Sequence, residues 1–175
     1  MGTPQAGRVI LDPRQCGAGL AAFFFSVEGA LWSDLEGSGA LPSPVPARAR
    51  REWECFALYA CVRGLVAAGG FGPETSAAVD HLHELALERW ALEPTPPEPL
   101  EARTRRIADR YAEFGRIGQE SEAAGPASVK ARLGETAALH MCAPEPAPAD
   151  LAAMVAELHE AMAEGAAEVV KRAEV

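Results

Sequence analysis

The chain has 175 residues, long enough for one domain with its own core, and its 49% apolar share is globular rather than disordered. A formal charge of −9 excludes a phosphate-neutralising surface over the whole domain, and with it nucleic acid as an expected partner. The four cysteines show neither metal-type C-x-x-C spacing nor the density of a small secreted scaffold, which predicts reduced, buried thiols in a cytoplasmic protein.

Alanine and other helix formers dominate, and no stretch alternates apolar and polar residues for long enough to make a convincing strand. The expectation is an all-α, single-domain bundle of five to six helices over 16–175, with Pro-rich connectors near 42–46, 94–99 and 144–148. Residues 1–15 read as a loose arm, with a short extended stretch at Arg8 to Leu11.

The first helix is expected from about Gly17 to Leu35. Its core face is Leu20, Phe24, Leu31 and Leu35, flanked by Phe25 and Trp32. The apolar run from Gly17 to Trp32 contains Glu28 and is shorter than the roughly 20 residues a membrane span needs. It reads as a core helix, and no membrane is expected as a partner. After the loop to Pro46, Arg51 to Gly70 is the only long segment apolar on nearly every face. Trp53, Phe56, Ala57, Ala60 and Gly64 make one stripe, and Cys55, Leu58, Val62, Leu65 and Val66 another. A helix apolar most of the way round must be surrounded, so it is the expected centre of the bundle.

The third helix starts at Pro73 and turns Val79, Leu82, His83, Ala86 and Trp90 inward. Beyond the extended linker Thr95 to Pro99, a fourth runs from Leu100 to about Ala123 with Ile107, Tyr111 and Phe114 on one side. Gly115 and Gly118 there predict the close approach of another helix. A fifth, from Ala127 to Met141, directs Val129, Leu133, Ala137 and His140 inward. The last, Leu151 to about Ala173, has the cleanest amphipathic pattern: Leu151, Val155, Leu158, Met162 and Val169 on one narrow face, with glutamates opposite.

No catalytic signature is present. In HLHELALE, His81 and His83 lie two apart rather than four, so the helix lacks the geometry of a zinc protease. The glycines from Gly69 to Gly72 lie between helices rather than after a strand, and read as a terminator. Glu28 is the main anomaly, a carboxylate on an apolar face that must find an arginine, lose its charge or line a cavity. His83 and His140 also project onto apolar faces.

Two functional expectations follow. The leading one is a non-enzymatic acidic interaction module, an adaptor, inhibitor or assembly partner that engages a protein or a second copy of itself. Its interface would be Leu151, Val155, Leu158, Met162 and Val169 on the C-terminal helix. The alternative is a small-molecule-binding bundle with Glu28, Phe24, Trp53 and His83 lining a pocket, or a divalent-metal site built from Glu28, Glu54, His83 and His140. No cofactor is expected under the first reading. The last helix presents acids on its polar face, which disfavours a membrane surface.

Overall fold

A computed structural model describes residues 12–173, with the side chains of 121 and 122 excluded. Among them are six α-helices, α1 (Pro13–Gly37), α2 (Ala49–Gly69), α3 (Pro73–Ala91), α4 (Leu100–Ser121), α5 (Pro126–Cys142) and α6 (Ala149–Ala173), plus a 3₁₀ turn at Glu122–Ala124. The described residues contain no strand. The extended stretch expected at Arg8 to Leu11 lies outside them.

Helix α1 begins earlier than its apolar pattern does. The Asp12 carboxylate accepts from the backbone N–H groups of Arg14 and Gln15 at 3.0 and 3.1 Å, and Pro13 fills the first helical position, where no N–H is needed. The helix therefore takes up residues 13–15, expected as part of the arm. At 25 residues it is long and apolar enough to cross a membrane by length and composition, contrary to the shorter span read from its apolar run. In this fold it packs on α3, α6 and α2.

Helix α2 touches each of the other five helices, as expected for a segment apolar on nearly every face. Trp53, Phe56, Ala57, Leu58, Ala60, Cys61 and Leu65 are fully buried. The Trp53 indole N–H donates to the Glu28 carbonyl at 3.1 Å, so the polar atom of this core side chain is satisfied. Gly70 ends the helix with φ of 72°, a conformation costly for any other residue type. All four cysteines are buried. Burial pushes the Cys55 thiol up to about 12, which removes it as a nucleophile at neutral pH.

Helix α6 shares the centre. Its broadest contact is with α2, then with α5 and α1. Small residues allow this. A Cβ added at Gly64 would sit 2.3 Å from the Ala163 carbonyl oxygen, and one at Gly134 would sit 2.5 Å from that of Ala152. Both glycines let a neighbouring backbone approach closer than a methyl group permits. The close approach expected at Gly115 and Gly118 is not there, since a Cβ at either position meets nothing within 4 Å. Helix α4 lies at the edge of the bundle with that side open, and its tight packing runs through Ile107, Phe114 and Ile117 instead.

Candidate functional site

A continuous series of ion pairs crosses the bundle from α1 to α5. Glu28 receives both ends of the Arg50 guanidinium, at 2.6 and 2.9 Å, in the bidentate geometry that suits a carboxylate. Arg50 Nε lies 3.6 Å from Glu54, and Glu54 lies 3.5 Å from Arg103. Arg103, buried over the Trp90 ring at 4.4 Å, reaches Glu93 and Glu98. Arg106 clasps Glu98 and approaches Glu52 at 3.5 Å. Glu52 accepts two bonds from Arg110, at 2.8 and 3.0 Å. Arg110 in turn approaches Glu113, whose carboxylate is 2.6 Å from His140 Nε2.

The α1 end of this series opens into a cleft of about 690 Å³ between α1, α2 and α3. Four carboxylates, Glu28, Glu54, Glu88 and Glu93, line it against two guanidiniums, Arg50 and Arg89. Phe25 and Trp90 supply aromatic surface, and Leu92 stands on the wall with 82% of its surface exposed. Burial, helped by the neighbouring Glu28 and Glu93 charges, outweighs Arg50 and Arg103 and pushes the Glu54 carboxyl up to about 6. The cleft therefore has a net negative lining that a cationic group would relieve.

The ligand set expected from sequence divides here. Glu28 lines the cleft, but Phe24 and Trp53 are fully buried in the core and not on its wall. His83 faces α4 instead. Its Nδ1 is 2.7 Å from the Val79 carbonyl, which fixes that nitrogen as the donor, and its Nε2 accepts from the Tyr111 hydroxyl at 2.8 Å. Burial lowers the His83 pKa, in keeping with a neutral ring.

The metal set divides as well. Glu28 and Glu54 share the Arg50 guanidinium, which fills the position a cation would take. His83 has spent both ring nitrogens, and His140 is bound to Glu113. Among the described residues, no group of three or more His, Cys, Asp or Glu side chains is placed to hold a metal ion.

On α6, Leu151, Val155 and Met162 are buried in the domain's own core, and Leu158 and Val169 are half-buried against it. The narrow face expected to engage a partner is covered by α2, α5 and α1.

Two functional-looking residues escaped the sequence pattern. Glu52 is 4% exposed, although it lies one turn before Phe56 on the buried stripe and could have been placed there by spacing alone. His159 falls between Val155 and Met162 at helical spacing and is 1% exposed. It stacks on Phe56 at 3.9 Å, and neither ring nitrogen makes a hydrogen bond. Burial first, then the Arg63 charge, hold its pKa well below the usual value against a weaker pull from the Phe56 carbonyl.

His159 has a definite pH signature. The unfolded chain takes up a proton on it near about pH 6.5, whereas the folded chain does not. Stability should therefore fall as pH drops below about 6.5, by at most about 1.4 kcal/mol per pH unit from this residue, until the depressed folded pKa is reached. His159→Leu should remove that slope and raise stability at neutral pH by about 1 kcal/mol, because two unsatisfied polar atoms leave the core. Urea denaturation at several pH values tests this, and an unchanged slope in the variant refutes it.

No family model, curated protein or solved structure matches this chain.

Proposed function

We propose that the protein is a non-enzymatic, cytoplasmic interaction module, an adaptor, inhibitor or assembly partner, and that it docks its partner in the α1–α2–α3 cleft rather than along α6. The observation that carries this reading is Leu92, 82% exposed on the wall of a cleft with four carboxylates and two guanidiniums. Charge complementarity selects a basic protein segment with an apolar anchor. The anchor would cover Leu92, worth about 2 kcal/mol for a leucine taken out of water, while the basic side chains approach Glu88 and Glu93.

A photo-crosslinking residue placed at Leu92, with a control at the exposed Ala153 of α6, tests the reading in the native cell. One partner is expected from position 92 and not from 153, and reversing Glu88 and Glu93 to lysine should abolish the product. Identical products from both positions, or none from 92, overturn the proposal. If the product is a second copy of the chain, light scattering should show a dimer that Leu92→Asp dissociates.

A further inference from the structure

A second cleft, of about 380 Å³, lies where α2 begins, and it has the opposite electrostatic character. Arg48, Arg51 and Arg106 line it against the single carboxylate of Glu52. In a chain of net charge −9 this lining carries three positive charges and one negative, a net of +2.

The internal partners leave that charge largely unspent. Glu52 is already held by Arg110 through two hydrogen bonds. Arg106 is clasped by Glu98, outside the lining. Arg48 is 3.5 Å from Glu52, and it makes one long bond, 3.4 Å, to the Ala143 carbonyl. Arg51 has no carboxylate within ion-pair distance among the described residues, and its one hydrogen bond goes to the Pro97 carbonyl at 3.1 Å. The Nε atoms of both Arg48 and Arg51 are buried without a hydrogen-bond partner. Carbonyls of two different connectors thus hold two guanidiniums at one cleft, each with donor capacity left over. Buried donors without an acceptor are costly, and neighbouring like charges add to that.

We propose that this cleft is an anion site, and that it takes a small phosphorylated molecule through the guanidiniums of Arg48 and Arg51. A phosphate dianion matches the net charge of the lining, where a carboxylate would leave one positive charge over. Its oxygens are matched by the planar guanidinium fork better than by a point cation. The phosphate would take its bonds from the outer guanidinium nitrogens of Arg48 and Arg51. Arg106 stays with Glu98 and contributes charge.

Inorganic phosphate titrated into the ¹⁵N-labelled full chain at low ionic strength tests the assignment, with acetate as the carboxylate comparison. Saturable amide shifts are expected at residues 48–52 with phosphate, and much weaker binding with acetate. Arg51→Gln and Arg48→Gln should each weaken phosphate about tenfold, the loss of one charge-assisted contact. Arg51→Lys should recover part of that loss, and the exposed Arg105→Gln should bind as the parent does. Matching amide spectra away from the cleft establish that each variant is folded. Shifts that do not saturate, equal binding of acetate, or Arg51→Gln binding like the parent would each overturn the proposal.

Discussion

Gly64→Ala is expected to lower the free energy of unfolding by about 2–3 kcal/mol, even though alanine is the better helix former by about 1 kcal/mol. The added methyl would lie 2.3 Å from the Ala163 carbonyl oxygen, 2.7 Å from the Ala166 Cβ and 2.9 Å from the Ala167 nitrogen. Two of those three atoms are backbone, so relief requires α2 and α6 to move apart and loosen the largest helix contact in the protein. Gly118→Ala should do the reverse and stabilise by about 0.5–1 kcal/mol, because the position is helical and open. Urea denaturation of the two variants reads both signs, and a Gly64→Ala protein as stable as the parent would refute the packing argument.

Glu52→Ala is expected to cost about 3 kcal/mol at neutral pH, since it leaves Arg110 and Arg106 half-buried without their common carboxylate. Burial alone would push the Glu52 pKa up, but the Arg110 hydrogen bonds and the Arg110 and Arg106 charges prevail and hold it below the ordinary value. The sign follows from that depression. The stability Glu52 contributes is present above about pH 4.3, its unfolded value, and is lost as pH falls through the lower folded one. Parent and variant should therefore converge in acid, and Arg110→Ala combined with Glu52→Ala should cost less than the sum of the single changes. A gap between parent and Glu52→Ala that persists undiminished at low pH would disprove this account.

These two residues mark how far the sequence could be read. The helices and the central place of α2 follow from periodicity and from the prolines and glycines between segments, because those signals act within a few residues of the chain. Gly64 and Gly118, however, look alike in sequence, each a glycine inside a helix with one apolar and one polar neighbour. Only the neighbour in space separates them, and Gly64 meets one about 100 residues further along. The site divides in the same way. Glu28 was conspicuous as a carboxylate among apolar residues, and Arg50 satisfies it. Which arginine would reach it, and that His83 would turn to Tyr111 rather than toward Glu28, depend on helix rotations that no local pattern encodes. Glu52 hid beside Trp53, because one polar residue on an otherwise apolar stripe is easily taken for the solvent edge.

The position of α6 has a consequence for how the protein comes into being. Helices α1 and α2 leave the ribosome well before α6, yet α6 covers Gly64 and packs against both. Until residues 149–173 emerge, the surfaces that α6 will cover stay open to water and to other nascent chains. The native arrangement closes by a contact far along the chain, which folds more slowly than pairing of neighbours. Synthesis arrested before residue 149 would therefore yield a fragment with an unsealed apolar seam, the kind of surface that chaperones hold and proteases remove.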